Sequence, residues 1–266
     1  MTFVLDFLTE LYDSGLKYSS INTARSAVSQ YALNNLGANP LVIRFMKGVF
    51  NLRPSVPRYT QIWDVSYLLN SLAKLSPVRF LSLKQLTIKT SVLLALVLAA
   101  RGQSLTLLNL SRMTRFKDKV EFTFKANELK QARPGYKPEK VVIARYEVNR
   151  KVCPVVALLE YMKRTESLRA DENQLFISYC KPYKKVTRDT ISRWVKSAMC
   201  SAGIDTKIFK AHSVRSAATS KARLKEVPID KILSTAGWSN AGTFAKFYDK
   251  PVIKDDKSFE NAVLAQ

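Results

Sequence analysis

The chain has 266 residues and carries 43 Lys+Arg against 21 Asp+Glu, a net charge of +22. Hydrophobic residues make up 47%, enough for an ordinary core, so the charge does not come from a disordered basic tail. One histidine, His212, and three scattered cysteines (Cys153, Cys180, Cys200) exclude a zinc finger, a His-rich metal centre and a disulfide framework, and point to a reducing compartment. The expected partner is large and acidic. Nucleic acid leads, because Lys and Arg that neutralise phosphates release counterions, with a merely soluble basic protein as the plainer reading. The longest apolar run, 92–100, is shorter than the roughly 20 residues a bilayer needs, and Asp6 and Glu10 interrupt the N-terminal apolar stretch, so neither a membrane span nor a signal peptide is expected.

Residues 1–50 read as three helices. Phe3, Phe7 and Leu11 recur every four positions beside Val4 and Leu8, and Gly15 stops the first helix. Ser19 or Ser20 can cap a second, with Ile21, Ala24, Val28, Tyr31 and Ala32 on one face and Gly37 at its end. Pro40 opens a third, in which Leu41, Phe45, Val49 and Phe50 are apolar and Arg44 and Lys47 lie beside them. Residues 51–63 form a basic linker, because Pro54 and Pro57 forbid helix while Arg53 and Arg58 keep it charged.

A second domain is expected over 64–266. Asp64 caps a helix carrying Val65, Leu68, Leu69, Leu72 and Leu75; Ser82 caps another that runs through Leu83, Leu86 and the buried stretch 92–100. From Met113 the period changes to two. Val120, Phe122 and Phe124 alternate with Glu121, Thr123 and Lys125, which reads as a half-buried strand with partners near 115–116 and 141–143 and a basic loop at 127–138. Helical spacing then returns over 154–168, 187–202, 213–225, 228–236 and 241–248. The fold class is mainly α with a small antiparallel β-sheet (α+β), without internal repeats.

His212 stands three residues before Arg215, so on a helix imidazole and guanidinium share a face and can reach one small anion together. A surface histidine near a helix start is the competing reading of His212 alone. Trp238 follows 23 positions after Arg215, and Tyr248 another 10 later. Arg101 directly follows the apolar helix, where it needs either a salt bridge or a phosphate to offset its burial.

The order Arg101, a basic strand-loop lysine, His212-x-x-Arg215, Trp238, Tyr248 resembles the signature of the tyrosine recombinase (phage integrase) family. The resemblance spans nearly the whole chain, with residues 1–50 similar to that family's helical DNA-gripping domain. The stretch 211–252, containing AHSVRSAATSKA and AGWSNAGTFAKFY, looks most like recombinases of DIRS- and Ngaro-type retrotransposons and cryptons. Three departures stand out: Ser104 replaces an acid of the first motif, Trp238 replaces a second histidine, and the N-terminal module is one helix short.

The resemblance implies roles. Arg101 and Arg215 clamp the non-bridging oxygens of one phosphate, which suits an always-charged planar fork. His212 hydrogen-bonds the phosphate and helps deprotonate Tyr248, since a free tyrosine with pKa ~10 is only about a thousandth ionised at pH 7. Tyr248 forms a 3′-phosphotyrosine, Trp238 donates its indole N–H, and a lysine protonates the departing 5′ oxygen. Lys130 fits that lysine best, with Lys125 and Lys137 as rivals. Arg44, Lys47, Arg58, Arg133, Lys137, Lys184, Lys185, Arg188 and Arg193, with Lys181 and Lys196 nearby, read as phosphate contacts or as a solvated charged face. The implied partners are double-stranded DNA and further copies of the chain, a dimer on one site and a tetramer in synapsis. No cofactor or metal is implied, and the location is the nucleus. A type IB topoisomerase and a catalytically silent DNA-binding relative are the alternatives. The segment 258–264 reads as a weakly amphipathic tail that docks on a neighbouring subunit or folds back on its own domain.

Overall fold

The computed structural model describes residues 2–31, 35–54, 56–125, 127–129, 140–238 and 240–253. The chain divides into two compact units, Met1–Arg58 and Tyr59–Gln266.

The first unit holds α1 (Thr2–Asp13), α2 (Tyr18–Val28) and α3 (Pro40–Leu52). Leu8, Ile21, Val42, Met46 and Val49 form its core. Gly15 supplies the left-handed turn that ends α1, at φ +89°. Asn39 caps α3 by accepting from the amides of Leu41 and Val42, and Pro40 takes the first helical position, where no amide is needed. Three expectations are corrected. α2 begins at Tyr18 without a side-chain cap, so neither Ser19 nor Ser20 caps it. It ends at Val28, where Ser29 and Gln30 break the apolar spacing, and Tyr31 is 90% exposed. Gly37 lies in a separate 3₁₀ turn, Leu36–Ala38, and Ala32 falls outside the described residues. α3 runs to Leu52.

In the second unit Asp64 caps α4 (Val65–Lys74), and Ser82 and Gln85 form a reciprocal capping box on α5 (Leu83–Val97). The middle of α5 is buried on all sides, from Leu86 to Leu96, which makes it the central helix. It contacts α7 (Pro154–Thr165), α8 (Arg188–Ser201) and α9 (Ser213–Leu224). Lys89 of α5 is fully buried and donates to Leu72 O at 2.9 Å, Leu75 O at 2.5 Å and Ser76 Oγ at 3.2 Å. It adds a donor to carbonyls in the last turn of α4 and just beyond it. Burial pushes its ammonium down to about 8.

α5 stops at Val97 instead of continuing to residue 100. Ala99 turns at φ +41°, and Arg101 becomes the residue preceding the short α6 (Gly102–Thr106). The sheet has antiparallel order β1-β2-β3, from Met113–Arg115, Lys119–Phe122 and Val141–Ala144. Met113 faces Phe122, and Val120 faces Ile143. β1 lies earlier than the expected 115–116 because Phe116 takes part in the turn, donating to Lys119 O. Glu121 points away from the apolar side yet is buried, with Lys119 at 2.7 Å and Lys140 at 3.5 Å. α10 (Ile229–Ala236) and α11 (Ala241–Phe247) complete the unit. Among the described residues no helix is long and apolar enough to cross a membrane.

Candidate active site

His212 is the N-cap residue of α9 and Arg215 lies in its first turn. Arg215 is only 2% exposed. Its Nη1 donates to Ala99 O at 2.5 Å and its Nη2 to Ala236 O at 2.6 Å. One guanidinium thus joins the turn after α5 to the last residue of α10, which places Arg101 and Trp238, each two residues farther on, around it. Its Nε is buried without an acceptor among the described residues. Burial first, and then the charge of Arg101, lower the Arg215 guanidinium to about 9, while Tyr248 acts in the opposite direction. It stays cationic at neutral pH. Arg101 is half-buried, and neither arginine has a carboxylate partner among the described residues. Two like charges in one partly desolvated volume are a cost that a phosphate anion relieves.

Gly237 ends α10 in the left-handed region, at φ +63°, and turns Trp238 back over Arg215. The guanidinium carbon lies 4.1 Å from the Trp238 ring centroid and 5.6 Å from that of Tyr248. Asn240 caps α11 by accepting from Gly242 N at 2.7 Å, and Tyr248 follows the helix directly. The Tyr248 ring is 4.4 Å from Trp238, which also stacks on Phe244 at 5.4 Å. The Tyr248 hydroxyl lies 3.1 Å from His212 Nε2, and the two rings meet edge to face at 5.9 Å. Imidazole, phenol, indole and guanidinium therefore share one cluster, with Arg101 at its margin. Such a cluster can hold an anion, orient a phenol oxygen towards it and accept the phenol proton.

The remaining predicted residues are dispersed. Lys130, Arg133 and Lys137 lie outside the described residues. Lys125 is exposed just beyond β2; its amide donates to Glu128 at 3.1 Å, and Glu128 pairs with Arg112 at 2.5 Å. Lys184 and Lys185 are exposed beside the bridge between Ile177 and Lys185. Arg188 is exposed, paired with Asp189 at 3.2 Å, and its stem packs on Gly102, where a Cβ would come within 2.9 Å of Arg188 Cγ. Arg193 donates to Thr190 Oγ1 at 3.1 Å from the exposed face of α8, where Lys196 also lies. Arg44 and Lys47 are exposed on α3, and Arg58 is exposed at the end of the first unit. Ser104 lies within α6. Among the described residues no His, Cys, Asp and Glu group could hold a metal ion.

Several contacting residues carry no individual sequence signal. Ser213 accepts from Trp63 Nε1 at 2.9 Å, fixing the start of α9. Ser216 and Ser220 donate to the carbonyl of Tyr248 at 3.0 and 2.8 Å. Their i, i+4 spacing one residue after Arg215 is a pattern that could have drawn attention to them.

No protein-family model and no curated protein matches the sequence. Solved structures do resemble the fold. The XerH site-specific recombinase bound to difH substrate in a pre-cleavage complex superposes with TM-score 0.58 at 14% identity, over 100% of this chain and 70% of that one. The XerA recombinase gives 0.54 at 15% identity, over 99% and 90%. The Tn1549 transposon integrase in complex with transposon right end DNA gives 0.59 at 14% identity, over 99% and 84%. These neighbours are tyrosine recombinases and integrases, and the mainly helical second unit with its three-stranded antiparallel sheet has the fold of their catalytic domain.

Proposed function

We propose that the chain is a DNA strand-transfer enzyme that cleaves and rejoins double-stranded DNA through a 3′-phosphotyrosine. The observation that carries this reading is the 3.1 Å approach of the Tyr248 hydroxyl to His212 Nε2, beside a buried Arg215. In the reaction the Tyr248 oxygen attacks phosphorus and the bond from phosphorus to the 5′ oxygen breaks. The phenol proton passes to His212, and the 5′ oxygen takes a proton from a lysine, for which Lys130 is the proposed donor. Arg215 and Arg101 stabilise the added negative charge, and Trp238 closes one side of the cluster against water. Attack by a free 5′ hydroxyl on the phosphotyrosine reverses the sequence and joins a strand. His212 and Tyr248 meet within one chain, so the tyrosine serves its own subunit's site.

Exchange between two duplexes by a tetramer, each site bound by a dimer, is favoured over relaxation by a monomer. The likeness to site-specific recombinases supports that choice, and the resemblance of 211–252 to DIRS- and Ngaro-type elements and cryptons supports a mobile-element role in the nucleus. In this reading the first unit, with Arg44, Lys47 and Arg58, grips the duplex, and Lys184, Lys185, Arg188 and Arg193 contact phosphates. A panel of nicked duplexes, incubated with the protein in EDTA and resolved on denaturing gels, tests the proposal. Wild type should give a protein–DNA band that Tyr248→Phe lacks; no band on any duplex would overturn it.

A further inference from the structure

The Tyr248 carbonyl follows the last turn of α11, where helix geometry leaves an acceptor unpaired. It is taken up by two buried hydroxyls of α9: Ser216 Oγ donates at 3.0 Å and Ser220 Oγ at 2.8 Å. Ser220 Oγ also accepts from the amide of Lys250 at 3.1 Å, so one serine holds the chain on both sides of Asp249. Beyond it, Lys250 Nζ donates to Tyr59 O at 2.5 Å, Ile62 N donates to Pro251 O at 2.9 Å, and Ile253 N donates to Ile62 O at 2.6 Å. The backbone at Tyr248 is thereby tied to α9 and its continuation to the segment 59–62. α9 also presents His212 at its first end and Arg215 in its first turn. One rigid helix therefore sets the position of the imidazole, the buried guanidinium and the tyrosine backbone together.

We propose that Ser216 and Ser220 are positioning residues for Tyr248, fixing its backbone so that the phenol oxygen meets the group held by Arg215. The inference rests on the strand-transfer reading of the site. The serines reach Tyr248 through its carbonyl, and Ser220 also through the amide of Lys250. Fixing that carbonyl narrows the positions open to the Tyr248 ring and its oxygen. A misplacement of about 1 Å can cost on the order of 100-fold in rate.

The test compares Ser216→Ala, Ser220→Ala and the double variant with Thr219→Val. Thr219 is a buried hydroxyl of the same helix that, among the described residues, bonds carbonyls of its own helix, at 2.9 and 3.2 Å. On nicked duplexes, single-turnover adduct formation at saturating DNA should fall about tenfold or less in each single variant and about 100-fold in the double variant. DNA affinity should stay at the wild-type value, melting temperature should fall by only a few degrees with the fold intact at the assay temperature, and Thr219→Val should cleave like wild type. A double variant that cleaves at the wild-type rate, or that loses rate only in proportion to DNA affinity, overturns the inference. If wild type forms no adduct on any duplex, the strand-transfer reading fails, and the hold of Ser216 and Ser220 on Tyr248 is then judged without DNA. A 3-fluorotyrosine at position 248 should give one narrow fluorine resonance in the wild-type background and a broadened or split one with Ser216→Ala/Ser220→Ala; identical spectra would overturn the positioning role.

Discussion

His212 Nε2 lies 3.1 Å from the hydroxyl of Tyr248 across 36 residues of sequence. A hydrogen-bonding ring nitrogen at that distance, next to two arginines that have no carboxylate partner among the described residues, can give the phenol proton a destination and its oxygen an electropositive target. His212→Ala should therefore lower the single-turnover cleavage rate by about 10²–10⁴ while leaving DNA affinity intact. Gel-resolved adduct formation alongside a mobility-shift titration on the same duplex checks both halves.

Arg215 has a structural duty besides its charge. Its two terminal nitrogens reach Ala99 O and Ala236 O, while its planar face lies under Trp238. A lysine offers one point charge and no plane, so it cannot span both carbonyls. Arg215→Lys should cost about 2–3 kcal/mol in urea unfolding and also abolish cleavage. Near-wild-type stability with activity lost would assign the residue to chemistry alone.

Because His212 and Tyr248 meet within one chain, two inactive proteins should not rescue each other. Mixing Arg215→Ala with Tyr248→Phe on a paired site should leave each nicked strand uncleaved. Trans delivery of the tyrosine would instead restore a fraction of wild-type adduct, because the Arg215→Ala subunit still carries a usable phenol.

Lys89 links stability to alkaline pH. Its folded value is lowered from 10.5 to about 8, so between those values the unfolded chain binds more protons than the folded one. Stability contributed at this position is therefore smallest below about pH 8 and rises as pH climbs towards 10.5. Urea unfolding of wild type and Lys89→Met from pH 7 to 10 should show the rise in wild type and a flatter profile in the variant. Lys89→Met should also be destabilised by about 1–3 kcal/mol, because the carbonyl of Leu75 loses the Lys89 donor and that of Leu72 keeps only the Leu75 amide.

The fold was legible wherever local chemistry fixes an element. Asp64 and Ser82 cap the helices assigned to them, and the alternation through Val120 and Phe122 gives a real strand. It was least legible where a tertiary contact or its absence decides the outcome. α5 ends three residues early because the carbonyl of Ala99 turns away from the helix to receive Arg215, and Tyr31 is exposed because α2 has already ended at Val28. In the site, His212, Arg215, Trp238 and Tyr248 stood out through an order that resembles the tyrosine recombinase signature, and the structure brings these four side chains together. Ser216 and Ser220 did not, because a serine that hydrogen-bonds a backbone carbonyl looks, in sequence, like any other helical serine.

The central claim is that Tyr248 is the nucleophile. Its most direct test is peptide mass mapping of the protein after trapping on a nicked duplex in EDTA and nuclease digestion. The account predicts a nucleotide joined through its 3′ phosphate to the peptide containing Tyr248, and to no other. Linkage at a different tyrosine, such as Tyr179 or Tyr183, or through a 5′ phosphate, would contradict it.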